Sequence, residues 1–170
     1  MNRFAILSIF AIAVIATAIN STESVAQQKT LKDQLVGSWT LVSAETIEPS
    51  GTKFPLVKGT PVKGFQVFTA DGRLSFQVIG DHQRIASNDR TKMTPEEMKA
   101  IAESILSYFG VYTVNEAEKS YTVRIDSSSF QNQTANPGKR MVELNGDDLK
   151  VTNPGRLAGG QTIMVWKRVK

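Results

Sequence analysis

The sequence predicts an all-β domain: a single antiparallel barrel of eight to nine strands with one helix between the fourth and fifth strands. Three observations carry this. Short alternating apolar and polar runs recur at regular spacing, separated by turn residues. Three of the turns are hairpins whose register gives each strand pair one apolar and one polar face. Beyond the first 26 residues, a single segment reads as helix. An antiparallel sheet must cover its apolar face. With one helix available, the economical cover is the sheet itself, closed on itself. A lumen of eight strands is just wide enough to be filled by side chains or to hold one small ligand.

The 170-residue chain opens with Asn2 and Arg3, a short positive start. An uncharged, mostly apolar run follows from Phe4 to Ile19. Ser24-Val25-Ala26 then places small residues where a signal peptidase reads. The run is about 16 residues, short of the ~20 that a membrane span needs. Residues 1–26 therefore read as a cleaved signal peptide and residues 27–170 as the barrel domain, with no stable membrane span after cleavage. The chain has no cysteine, which removes lipid attachment through a lipobox cysteine. The expected location is periplasmic or secreted.

The strands follow in order. Gly37 opens the first, Ser38 to Glu45. Gly64 to Ala70 and Arg73 to Gly80 flank Asp71-Gly72, a strong hairpin signal. Thr94-Pro95-Glu96-Glu97 holds three helix-start signals: a capping threonine, a proline at the first helical position and a glutamate completing a capping box. Met98, Ile101, Ile105 and Tyr108 recur at helical spacing, so the helix is expected to run about 14 residues and to end at Gly110. Gly110 to Asn115 and Ser120 to Ser127 flank Glu116–Lys119. Lys139 to Asn145 and Asp148 to Asn153 flank a turn at Asn145-Gly146, and Gln161 to Val169 closes the chain. A ninth segment near Thr52 to Val57 contains Pro55, which demotes it to an edge strand or loop.

Turn geometry then sorts the faces. A two-residue turn at Asp71-Gly72 sets Val67 opposite Phe76 and Phe65 opposite Val78, which turns Phe65, Val67, Leu74, Phe76 and Val78 inward. The next hairpin sets Val114 opposite Tyr121 and Tyr112 opposite Val123. The last sets Leu144 opposite Leu149 and Val142 opposite Val151, with Glu143 and Lys150 paired on the wet face. Arg140 falls in line with Val142 and Leu144. A guanidinium there has three readings: a structural arginine bonding carbonyls at a barrel end, an anchor for an anionic head group, or a side chain reaching solvent.

Composition removes most chemistry. Zero cysteines exclude disulfides, thiolate catalysis and Zn–Cys sites; the single histidine, His82, excludes sites needing two imidazoles and sits in a polar loop stretch. Ser75, Ser127, Ser128 and Ser129 have no nucleophile-elbow context. The aspartates at 81, 89, 147 and 148 match no EF-hand loop, and Gly155 to Gly160 lacks P-loop lysine spacing. No metal or cofactor is expected. The net charge of +4 is spread out, its tightest group being Lys167, Arg168 and Lys170, so nucleic acid is not an expected partner.

Leu35-Val36-Gly37-Ser38-Trp39-Thr40-Leu41 holds a Gly-x-Trp that resembles the opening strand of the lipocalin and calycin barrels. Gly64 to Ser75 is similar to the "Gly…Tyr-Thr-x-Asp-Gly-Arg-Met-Ser" hairpin of the bacterial lipocalin-like domain family. Ser107-Tyr108-Phe109-Gly110-Val111-Tyr112-Thr113-Val114 looks like that family's "Tyr-Phe-Gly-x-Tyr-x-Val" segment, and Arg140 and Leu149 fall where the family tends to carry an arginine and a leucine. The resemblance spans Leu35 to about Lys170. It implies a barrel or near-barrel with an internal cavity, and a last-strand arginine over Trp39, for which Arg168 is the candidate. One departure stands out: the histidine the family often carries in the strand matching Tyr121 to Asp126 is absent here.

Three functions remain. The first is a barrel binding a small hydrophobic molecule in a lumen lined by Trp39, Phe65, Phe76, Tyr112, Tyr121 and Trp166, with Arg140 orienting an acidic head group. The second is an enzyme of cyclase or isomerase type in the same cavity, with Tyr112 or Tyr121 as the acid–base group held by Arg140. The third is a filled barrel acting through its surface as an interaction or stress protein.

Overall fold

The computed structural model describes residues 29–135, 138–155 and 160–170. The leader expected over residues 1–26 lies outside them, as does most of the Gly155–Gly160 stretch. Nine strands form one antiparallel sheet: β1 (Gly37–Ile47), β2 (Lys53–Pro55), β3 (Val62–Phe68), β4 (Arg73–Gly80), β5 (Ile105–Asn115), β6 (Ser120–Ser128), β7 (Gly138–Asn145), β8 (Asp148–Asn153) and β9 (Gln161–Arg168). β3 to β9 pair in sequence order. β1 pairs β3 on one side and β9 on the other, which closes an eight-stranded barrel. Closure removes the open edges that would invite aggregation. β2 lies outside the ring as a three-residue edge strand on the far half of β1, Glu45 opposite Pro55, as its proline requires.

The helix α2 (Pro95–Ser104) sits between β4 and β5, with the full capping box between Thr94 and Glu97. It is shorter than its apolar spacing predicts. From Ile105 the chain pairs with β4, Ile79 opposite Ile105 and Phe76 opposite Tyr108, so Ile105 and Tyr108 belong to β5. Gly110 does not end the helix. It lies where β6 carries an extra residue, between Phe109↔Ser127 and Gly110↔Ile125. A Cβ on Gly110 would meet the Arg124 carbonyl oxygen at 2.1 Å, so glycine lets the two backbones approach.

The β5–β6 and β7–β8 registers follow the expected pairings, including Glu143 and Lys150, whose charges meet at 2.9 Å. The β3–β4 register does not. Gly72, at φ +90°, closes a three-residue loop in which Thr69 N–H donates to Arg73 O and Gly72 N–H to Thr69 O. That extra loop residue slides β3 by one position, so Phe68 meets Leu74 and Gln66 meets Phe76. Leu74, Phe76 and Val78 stay inside. On β3, Gln66 and Phe68 enter the core instead of Phe65 and Val67, and Phe65 is 42% exposed on the outer face.

One barrel end is closed. The helix α1 (Leu31–Leu35), absent from the sequence reading, carries its own capping box between Thr30 and Asp33 and buries Leu35. The Glu116 carboxylate accepts from the Leu31 and Lys32 N–H groups at 2.7 and 3.1 Å. Trp39 lies beneath, donating from Nε1 to Leu35 O at 2.9 Å. The Arg168 guanidinium stacks 4.1 Å from the Trp39 ring centre and donates to the carbonyls of Val36 and Gln34. Phe68, Tyr112 and Tyr121 fill the next level edge to face, with centroids 5.1 to 6.4 Å apart. Among the described residues no helix is long and apolar enough to cross a membrane.

Candidate functional site

The opposite half of the lumen is open. A cavity of about 610 Å³ lies toward the end where Leu56, Leu106 and Phe130, which also line a groove against α2, meet Pro154 and Gly155. Phe76, Leu106, Tyr108, Ile125 and Met164 make its apolar wall, with Leu56 and Phe130 contributed by loops. Arg140, Asn153 and Thr162 supply its polar side, from β7, β8 and β9. Phe76 and Tyr108, opposite each other across β4 and β5, stack at 4.5 Å with planes 12° apart, so one aromatic slab faces the space.

Arg140 is 8% exposed. Its guanidinium donates to Lys139 O and Asn153 Oδ1, each at 3.1 Å. Both acceptors are neutral, and no ion pair of Arg140 is present among the described residues; Lys139 next to it pairs outward with Glu118. A Cβ on Gly138 would sit 2.3 Å from the guanidinium, so this glycine leaves room for the head of Arg140 to lie along the first residue of β7. The solvent-reaching reading of Arg140 is thereby corrected. The carbonyl-bonding reading holds, and the charge still lacks a counter-ion.

The expected site residues divide into three groups. Phe76 and Arg140 stand in the cavity wall. Trp39, Tyr112, Tyr121 and Trp166 are buried in the packed core. Phe65 faces outward, for the register reason above. Sequence reasoning missed Tyr108, which it assigned to the helix, and Asn153, which it took only as the end of a strand. The alternation of Tyr108, Gly110 and Tyr112 on one face is the signal for Tyr108.

Burial raises the Tyr108 phenol above its usual range, and the nearby Arg140 charge pulls partly against that. Burial likewise raises Tyr121, with Tyr108 adding and Arg140 opposing. Tyr112 is raised by burial and by Asp71, and its hydroxyl donates to Thr69 O at 2.8 Å. All three phenols are therefore neutral at physiological pH and poor bases. Neither tyrosine expected to do acid–base work lines the cavity. His82 lies in the loop after β4, its Nδ1 3.0 Å from the Gln83 carbonyl.

A family model described as a lipocalin-like domain matches residues 36–169. No curated protein matches the chain.

Proposed function

The chain belongs to the lipocalin-like domain family, and on that premise we propose that it is an exported barrel that binds a small, largely apolar ligand through its tail and an acidic head group at Arg140. The observation that carries this is a buried guanidinium on the polar side of a cavity whose other wall is apolar, with only neutral partners among the described residues. A buried charge is costly until something compensates it. A carboxylate suits a guanidinium in both charge and shape. The volume of about 610 Å³ falls in the ~300–1,000 Å³ range of small-molecule sites, and supports an occupied lumen over one filled throughout. Affinity would come from the tail, at about 0.8 kcal/mol per buried methylene. Export rests on the apolar start of the chain and the Ser24-Val25-Ala26 cleavage signal.

Native mass spectrometry on protein purified gently from its own cell envelope tests the reading. The expected result is an adduct of a few hundred daltons that leaves on denaturation. A bare mass that persists after incubation with fatty acids and envelope lipid extracts overturns it.

A further inference from the structure

The aromatic slab on the cavity wall joins two rings with different ends. Phe76 is apolar throughout; Tyr108, stacked on it at 4.5 Å, carries a hydroxyl. Stacking needs only the ring, so the hydroxyl has some other use. Buried phenols usually find a hydrogen-bond partner, as Tyr112 does in donating to Thr69 O. Tyr108 is 4% exposed. The hydrogen-bond partner of its hydroxyl among the described residues is Arg140. Arginine carries donors only. The guanidinium therefore donates, the phenol oxygen accepts, and the phenol proton is left without a protein acceptor.

Both side chains are held to the same cavity. Tyr108 stands on β5 between Phe76 on β4 and Ser128 on β6, and its stack on Phe76 fixes the plane of the ring. The head of Arg140 lies back along β7 against Gly138, where the absent Cβ leaves it room, and Gly138, Arg140 and Tyr108 all line the cavity. Asn153 Oδ1 already accepts from Arg140 and from Gly155 N–H. A cation and an unspent O–H thus face one space. Burial keeps the phenol protonated at physiological pH, so it has a proton to donate.

We propose that Tyr108 is a head-group residue of this cavity beside Arg140: its hydroxyl donates to one oxygen of a bound carboxylate while the guanidinium holds the other. A carboxylate is acceptor-only and offers two oxygens, which matches the two groups. Both bonds are charge-assisted and so roughly twice as strong as neutral ones. An alcohol head offers one oxygen and no charge, and an ammonium head offers no acceptor, so the pair selects acids over both. This rests on the reading of the cavity as an acid-binding site and adds to it a second residue that reads the head group.

The test is calorimetric titration with dodecanoic acid, set beside fluorescence titration with phenylnaphthylamine, an apolar fluorophore without oxygen. Tyr108→Phe keeps the ring and removes the hydroxyl. It should bind the acid about tenfold more weakly than the wild type and the fluorophore equally well. Tyr112→Phe, which alters a phenol outside the cavity wall, should bind the acid as the wild type does. Acid binding should also red-shift tyrosine absorbance in the wild type and in Tyr112→Phe, and not in Tyr108→Phe. Should Tyr108→Phe fail to fold, that shift decides: its absence from the wild type and from Tyr112→Phe overturns the donor role. Wild-type acid affinity in Tyr108→Phe, or an equal loss of acid and fluorophore, makes Tyr108 wall only, and leaves the acid site at Arg140 standing. No binding of the acid by the wild type overturns both readings.

Discussion

Replacing Arg140 by methionine separates the function of that side chain from its part in the fold. Methionine keeps much of the length and apolar volume and removes the charge. The substitution frees Lys139 O and Asn153 Oδ1, of which the latter still accepts from Gly155 N–H at 3.3 Å. It also removes a buried charge that has no ion-pair partner among the described residues, and burying such a charge costs several kcal/mol in desolvation. The two effects oppose each other, so Arg140→Met should leave the melting temperature unchanged or raise it. Binding behaves differently. A hydrogen bond to a charged group contributes about 1.5–3 kcal/mol, equivalent to roughly 10- to 150-fold in Kd. Titration with dodecanoic acid should show that loss, and titration with dodecanol should show none. Equal loss for acid and alcohol would mean that Arg140 shapes the cavity and does not read the head group. A large fall in melting temperature would mean that its bonds to Lys139 and Asn153 stabilise the barrel more than the free charge costs.

Four further outcomes follow from the geometry. Affinity for saturated acids should rise about fourfold per added methylene until the cavity is full, then level off or fall, as calorimetry across chain lengths would show; a flat series would mean that the tail is not buried. Arg168→Met removes the cation over Trp39 and the donors to Val36 and Gln34; it should cost about 2–4 kcal/mol in denaturant unfolding and red-shift tryptophan emission as α1 loosens, whereas an unchanged midpoint would show the closed end to be held by Leu35 and Trp39 alone. Gly110→Ala should cost about 1–3 kcal/mol, because its Cβ collides with the Arg124 backbone rather than with a movable side chain; a wild-type midpoint would refute the close approach. The chain has three tyrosines, and all three are raised in the fold. Their neutral forms are favoured in the folded state, so this contribution is intact below the unfolded value of about 10 and is lost as pH rises above it. Ultraviolet titration should show phenolate appearing together with alkaline unfolding, and phenolate forming in the folded protein near pH 10 would contradict the burial.

The strand spans, the helix start and two of the three hairpin registers were legible in the residues because each rests on local chemistry. Thr94, Pro95 and Glu97 cap a helix wherever they stand together, and Gly146, at φ +58°, allows the tight turn between Asn145 and Asp148. Alternation in β6 to β9 reports a largely apolar inner face, interrupted by Arg140 on β7 and Thr162 on β9. Where two periods overlap, local signals run out. Ile105 and Tyr108 fit a helix as well as they fit a strand, and the hydrogen bonds offered by β4 decide between them.

The sequence by itself determined the class of fold, the inward position of Arg140 and the aromatic residues available to the interior. Tertiary structure decided which of those residues line the cavity. One extra residue in the Thr69–Arg73 loop put Phe65 outside and Gln66 inside, since a strand that slips by one position exchanges its two faces completely. The division of the lumen into a packed half under α1 and an open half beside α2 depends on contacts between residues far apart in the chain: Glu116 on Leu31, Arg168 on Trp39, Tyr108 on Phe76. Each of these depends on how the closed barrel brings distant segments together, and periodicity along a single strand carries no record of that.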